Sequence, residues 1–179
     1  MTARDLQTAI MEDLDRLFQE SRYKTPDNTL AALKTHRQRI NKRDAQDTED
    51  PFPYIIVRLE SGSVESVTDP HKVDVLLLIG IFDDATGDFR DPPPEEGGWD
   101  NRNFGDAAVL EIIERLQAHY EQHPHLEGGF DFDGPFKWVL QDEDSYPYYF
   151  GGCELTFPLP APRRERSQYT RSPSIRQRP

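Results

Sequence analysis

Four aspartates have the chemistry of a divalent-cation site. Asp83, Asp84, Asp88 and Asp91 follow a strongly apolar run, and carboxylate oxygens are the ligands that Ca²⁺ and Mg²⁺ prefer. Their spacing is not that of a calcium-binding loop, and the glycine such a loop requires at its sixth position is missing. We therefore interpret them as solvated loop acids and predict no metal site here.

Three histidines gather at the end of a predicted helix, at His119, His123 and His125. His119 and His123 are four residues apart, which places two imidazoles on one helix face, as in a zinc-binding pair. The sequence suggests no third ligand, and imidazoles near a helix C-terminus interact favourably with its free carbonyl groups. We expect structural or surface histidines.

The single cysteine, Cys153, excludes an internal disulfide and a cysteine zinc cluster. It follows two glycines, precedes an apolar run and has no adjacent positive charge, so we predict a buried, unreactive thiol. The sequence contains no phosphate-binding P-loop, nucleophile elbow or dinucleotide-binding glycine fingerprint. We predict no catalytic residue, no cofactor and no enzymatic activity.

Composition indicates an acidic protein with a basic end. The 179 residues carry a net charge of −12 and contain 35% hydrophobic residues, which favours one domain with much solvated surface. Residues 161–179 hold six arginines and one glutamate, a charge of +5, and subtracting this from −12 leaves −17 for the remainder. With no apolar run long enough to cross a bilayer, we expect a soluble protein, cytosolic at synthesis.

Apolar periodicity predicts two amphipathic helices. The first runs from Thr2 to Glu20 with Thr2 as N-cap, and the second runs from Asp106 to Gln122 with Asp106 as N-cap. Residues 21–50 are interpreted as a solvated linker, in which a short basic helix from Thr29 to Ile40 that could serve as a docking surface is an alternative.

The strands follow from β-branched and aromatic runs bounded by turn residues. They are Ile55–Glu60 with a turn at 61–63, His71–Asp83 as a central strand buried on both faces, a short segment at 128–134, and the pair Phe136–Leu140 and Tyr148–Leu159. We predict an α+β fold: a mainly antiparallel sheet with two helices packed on it, a long inserted loop and an extended C-terminal arm. Residues 1–160 form the domain and 161–179 the flexible basic arm.

The last strand has features of a sheet edge. Pro147 and Pro158 cannot donate to a ladder, so this strand is expected at or near an edge for part of its length. Gly151 and Gly152 predict a bulge or a close approach by another part of the chain.

Aromatic and basic residues outside the core are the candidates for contacts with other chains. The loop at 84–105 is rich in Pro and Gly yet contains three aromatic residues, and the C-terminal arm is complementary to an acidic neighbouring surface. DNA binding by the arm is an alternative, disfavoured by the charge of −17 on the body. The predicted subunit or partner interface residues are Phe89, Trp99, Phe104, Tyr146, Tyr148, Phe150, Arg163, Arg164, Arg166 and Arg171.

Five segments, taken in order, resemble the tail terminator (tail completion) family of long-tailed bacteriophages and prophages, particularly those of Gram-positive hosts. They are the stretch EDPFPYIIVRL at 49–59, the strand Val75–Phe82 ending in Asp83-Asp84, the helix Asp106–Gln122, Phe136-Lys137-Trp138, and Tyr146–Gly151. They are distributed between residues 49 and 151, and none is a catalytic signature. The loop at 84–105 and the arm after Pro160 depart from the family pattern.

The resemblance implies a homohexameric ring that caps the head-proximal end of a tail tube, stops its polymerisation and presents a surface to head-completion or neck proteins. Genomic DNA would pass through the lumen without specific binding, and an acidic wall suits that passage. The implied locations are the virion, at the tail or neck, and the host cytoplasm during assembly, without a membrane. The alternatives are a head-completion (stopper) or other neck-ring subunit, or a non-viral protein-interaction domain.

Overall fold

The computed structural model describes residues 1–40, 51–65, 69–84, 105–141 and 145–160. In chain order, its elements are α1 (Ala3–Leu17), β1 (Tyr23–Lys24), β2 (Leu30–Ala31), β3 (Lys34–Arg37), β4 (Tyr54–Ser63), β5 (His71–Phe82), α2 (Gly105–Gln122), β6 (His125–Leu126), β7 (Phe130–Asp131), β8 (Lys137–Leu140) and β9 (Tyr148–Leu159).

One five-stranded sheet organises the described part of the chain. Its order is β3-β4-β5-β9-β8, and β5 is the central strand. The β3–β4 pair is parallel, and the other three pairs are antiparallel. The predicted α+β class, a mainly antiparallel sheet with two helices packed on it, is confirmed.

Both helices pack on the same face of this sheet. Every second residue of β5, including Val75 and Leu77, joins one buried cluster with Ile10 of α1 and Ile113 of α2. α1 contacts β3 and β4, whereas α2 contacts β5, β8 and β9. The opposite side of the sheet carries the alternate residues of each strand. No helix of the described residues packs on it, and it is called the helix-free face below.

The ends of the helices follow local hydrogen bonding. The Thr2 hydroxyl accepts a bond from the Asp5 N–H (3.2 Å) and the Asp5 carboxylate accepts one from the Thr2 N–H (2.8 Å), which confirms Thr2 as N-cap. α1 ends at Leu17, short of the predicted Glu20. α2 begins at Gly105, so the prediction of Asp106 as N-cap is wrong; its carboxylate lies in the first turn, where the helix dipole favours it.

The segment predicted as a possible helix, Thr29–Ile40, is extended, and that alternative is wrong. Asn28 and Gln38 have φ values of 57° and 63°, which interrupt a right-handed helix on either side of β2 and β3. β3 lies parallel to β4, and the Lys34 N–H donates to the Pro53 carbonyl (3.1 Å). Backbone pairing to a strand outweighs the helical spacing of its few apolar residues.

Two further strand predictions need correction. The predicted turn at 61–63 is strand, because β4 continues to Ser63 through a bulge between Leu59 and Ser61. β5 is not buried on both faces along its length: Leu76 and Leu78 are partly exposed, and continuous burial is confined to Ile79–Phe82. The helices cover one face of β5, so only its last residues are enclosed from both sides.

The final strand pair is as predicted in arrangement, and β9 runs from Tyr148 to Leu159. β9 pairs with β5 over its whole length in unbroken register, but with β8 only from Gly151 to Glu154, so parts of β9 have a strand on one side only among the described residues. Of the two alternatives predicted for Gly151 and Gly152, a close approach by another part of the chain is confirmed at Gly151. A Cβ on this residue would lie 2.6 Å from Cγ1 of Val109 in α2.

Candidate interaction surface

The helix-free face carries a cluster of five aromatic rings at one end of the sheet. They belong to Phe52, Tyr54, Phe82, Tyr148 and Phe150. The ring centroid of Phe52 lies 5.0 Å from that of Tyr54, 4.8 Å from that of Tyr148 and 5.9 Å from that of Phe150, and the Phe82 centroid lies 5.5 Å from that of Tyr148. Three of these pairs are tilted and the Phe82–Tyr148 pair is edge-on, and aromatic pairs at these distances and angles stabilise the fold beyond the area they bury. The cluster is a preformed, largely apolar surface.

Strand register explains why these rings meet. Gly80 of β5 pairs with Tyr54 on one side and with Phe150 on the other, and Phe82 pairs with Tyr148. Directly paired residues point to the same face of a sheet. Phe52 lies just before β4 and reaches over the row that the strands form.

The segment before β9 is fixed to the end of β5. The Asp83 N–H donates to the Pro147 carbonyl (2.9 Å), and the Tyr146 hydroxyl donates to the Asp84 carbonyl (3.2 Å). The Asp84 carboxylate forms an ion pair with Lys24, which raises the pKa of that lysine through the hydrogen bond. Tyr146 nevertheless remains 49% exposed, so this end of the sheet carries an accessible ring.

We predicted that the four aspartates after β5 are solvated loop acids, and this prediction is wrong for Asp83. Asp83 is buried at the end of β5, and Asp84 is partly buried and paired with Lys24. Both lie where the chain leaves the sheet and are therefore enclosed by the segment before β9. Asp88 and Asp91 lie outside the described residues.

β8 forms one edge of the sheet and exposes apolar side chains. Trp138 is 49% exposed and Val139 is 65% exposed, and successive strand residues point to opposite faces. Lys137 reaches Glu154 of β9 with an Nζ–O distance of 3.3 Å. Exposed apolar edge strands favour pairing with another chain.

β3 forms the other edge and is polar. The Thr35 hydroxyl donates to Asp15 of α1 (2.8 Å), and an Arg37 Nη donates to the Thr8 hydroxyl (2.9 Å). These bonds hold β3 against α1 and place Thr35 and Arg37 on the helix-covered face. His36 therefore lies on the helix-free face, where its ring meets Tyr54 edge-on at 6.2 Å.

The histidines and the cysteine, whose types suit metal or thiol chemistry, contact other side chains of the fold or are buried in it. His119 Nε2 lies 2.7 Å from Asp13 Oδ2, and its ring stacks on His123 at 5.4 Å. Among the residues that the structure describes, no group of three or more potential ligands could hold a metal ion. Cys153 is fully buried, as predicted, and burial raises the pKa of its thiol to about 12.

The structure brings together three of the predicted interface residues, Tyr146, Tyr148 and Phe150, at one end of the sheet. The other seven, Phe89, Trp99, Phe104, Arg163, Arg164, Arg166 and Arg171, lie outside the described residues. Sequence reasoning missed Phe52, Tyr54 and Phe82 as members of the same surface. It also missed the exposed edge of β8. Alternate residues of a strand point to the same face. Counting by two from Phe150 to Tyr148 and from Tyr54 to Phe52 would therefore have indicated which aromatic residues share a face.

Comparison with protein-family models gives no match, and comparison with curated proteins gives no significant one. Within the described ranges, no helix is both long and apolar enough to cross a bilayer.

Proposed function

We propose that this protein is a structural subunit of a bacteriophage tail. Copies of it form a ring, a homohexamer, at the head-proximal end of the tail tube, stop tube polymerisation, and give the head-completion or neck proteins a surface to bind. The protein acts by assembly and has no catalytic step.

The observation that carries this proposal is that the five-stranded sheet has two dissimilar edges, neither of which pairs with a further strand among the described residues. β3 is polar and basic, with exposed Lys34 and Arg37, whereas β8 is apolar, with exposed Trp138 and Val139. A subunit with two different joining surfaces forms head-to-tail contacts, and such contacts close into a ring when the rotation between subunits permits.

The segments that resemble tail terminators include all five aromatic residues of the cluster and parts of four of the five strands of the sheet. The stretch at 49–59 provides Phe52 and most of the apolar part of β4, and the stretch at 146–151 provides Tyr148 and Phe150. Charge agrees with the same role: a ring of subunits carrying −12 each repels phosphate and would let DNA slide past.

The proposal is tested with purified full-length chain and the tube protein encoded in the same genome. When the chain is added to polymerising tube protein, we expect tubes to stop growing and electron microscopy to show a ring at one end. A chain that binds the assembled head-completion protein but leaves tube growth unchanged belongs to the neck layer above, and the terminator role would be wrong. A genome without a tube-protein gene would contradict both roles.

A further inference from the structure

We propose that copies of this chain join by antiparallel pairing of β8 of one copy with β3 of the next, extending the sheet from subunit to subunit. This inference deepens the proposed function and rests on it for the number of copies in the ring. The contact between two copies is argued separately, from the geometry of the two sheet edges. The occupant of the β8 edge is thus a second copy of this chain.

The outward-facing backbone groups of β8 are set by its pairing with β9. The Gln141 N–H donates to the Phe150 carbonyl (3.0 Å), so the hydrogen-bonded positions of β8 alternate from there. Val139 and Lys137 therefore bond to β9, and the N–H and C=O groups of Trp138 and Leu140 point away from the sheet. These are two donors and two acceptors for an incoming strand.

The outward groups of β3 follow in the same way from its parallel pairing. Lys34 and Gln38 donate to the carbonyls of Pro53 and Val57 at 3.1 and 3.0 Å, so the alternate residues Thr35 and Arg37 direct their backbone groups outward. The Arg37 carbonyl accepts a bond from the Arg39 N–H (2.7 Å), and a carbonyl oxygen has a second lone pair that can accept a bond from an incoming strand.

Strand direction, face and the number of outward groups that can pair together favour one register. β3 and β8 run in opposite directions within the sheet, so β8 followed by β3 of a second copy is an antiparallel pair. Pairing Trp138 with Arg37, and Leu140 with Thr35, joins the outward groups on both strands. All four side chains lie on the helix-covered face, so the register also keeps the two faces of the sheet continuous.

The side chains match in this register. The Arg37 guanidinium comes beside the half-exposed Trp138 ring, a favourable cation–π arrangement. Val139, 65% exposed, comes opposite the His36 ring on the helix-free face. At the end of the pair, Lys34 faces the uncharged Gln141.

The register predicts a site for a disulfide between copies. Val139 and His36 form a non-hydrogen-bonded antiparallel pair, whose Cα atoms lie about 4.5 Å apart, within the range that a disulfide spans. We would oxidise the full-length double variant H36C/V139C with and without tube protein, and resolve the products by non-reducing electrophoresis. The native Cys153 is retained because it is fully buried.

We expect the double variant to give a ladder of linked chains, and an equimolar mixture of H36C and V139C to give linked pairs only. The matched control is T35C/V139C, whose side chains lie on opposite faces; it should link roughly tenfold less. If H36C/V139C fails to fold, T35C/L140C tests the same register at its neighbouring pair.

Three results would overturn the inference. Linked dimers of V139C alone would indicate two-fold pairing of β8 with β8. If sedimentation shows self-association but neither H36C/V139C nor T35C/L140C forms a disulfide link, the contact lies elsewhere. If the chain neither links nor associates, with or without tube protein, it has no such contact. Failure of the proposed function is seen separately, as linked rings that leave tube growth unchanged.

Discussion

Tyr54 covers Gly80 across the helix-free face. A Cβ on Gly80 would lie 2.4 Å from Cζ and 2.7 Å from the hydroxyl oxygen of Tyr54. Gly80 is buried in the middle of the sheet, paired with Tyr54 and Phe150. The absence of a side chain there lets the Tyr54 ring lie close to the backbone and meet Phe52, so one glycine determines the shape of the aromatic cluster.

Gly80→Ala should lower the free energy of unfolding by about 1–3 kcal/mol, because the methyl group displaces the Tyr54 ring from a packed position. Urea denaturation measures the loss. Gly152→Ala is the matched control: it lies in the same sheet, and its added Cβ would have its nearest contact at 3.6 Å. Alanine there should be neutral or stabilise slightly, since it restricts the unfolded chain. Equal losses in the two variants would contradict the packing that we describe.

Phe150→Asp should leave the protein folded, with the free energy of unfolding lower by about 1–2 kcal/mol, since Phe150 is partly exposed on the helix-free face. Phe157→Asp, in the same strand but fully buried among the helices, should unfold the chain. Circular dichroism and thermal melting distinguish the two. A folded Phe150→Asp that loses tube arrest would place Phe150 at an interface, whereas its unfolding would return this residue to the core.

Asp74 should make stability depend on pH. Its carboxylate accepts hydrogen bonds from the Ser61 hydroxyl (2.5 Å) and the Thr156 hydroxyl (2.9 Å), and these bonds lower its pKa. The folded-state pKa lies below the unfolded one, so the stabilisation is present above the unfolded pKa and is lost as pH falls through the folded pKa.

Asp74→Asn should therefore lower the free energy of unfolding by about 1 kcal/mol at pH 7, allowing for partial exposure, and by much less at acidic pH. Urea denaturation of both proteins across this pH range measures the difference. The exposed Asp133→Asn provides the control for loss of a charge. A penalty for Asp74→Asn that stays constant down to acidic pH would contradict the assigned hydrogen bonds.

Cys153 should be unreactive in the folded protein, because its thiol is buried and its pKa is raised to about 12. We expect it to react with a thiol reagent at neutral pH at least roughly a hundredfold more slowly than the exposed thiol of Val64→Cys. Both thiols should react alike in guanidinium chloride. Fast labelling of native Cys153 would mean that β9 opens readily from α2.

The parts of the fold that the sequence predicted are those whose burial alternates strongly. α1, α2 and β9 have apolar residues in one regular pattern, and their arrangement is confirmed. β3 was missed because Lys34–Arg37 contains no apolar side chain, and its structure comes from backbone pairing with a strand that begins twenty residues later. No local pattern records such a pairing.

Only part of the candidate surface was predicted, for a similar reason. Tyr148 and Phe150 stand out in the sequence beside Pro147, but their contacts with Phe52 depend on strand register across almost a hundred residues. The exposure of Trp138 was not foreseen, because an aromatic residue in a strand is usually buried. Only the order of the strands shows that β8 ends the sheet.

The length of tail tubes grown with increasing amounts of the full-length chain tests the central claim most directly. We predict that mean tube length falls as the ratio of chain to tube protein rises, and that each arrested tube bears a ring of this chain at one end. Tubes of unchanged length with no bound chain, under conditions in which the chain is folded, would contradict the account.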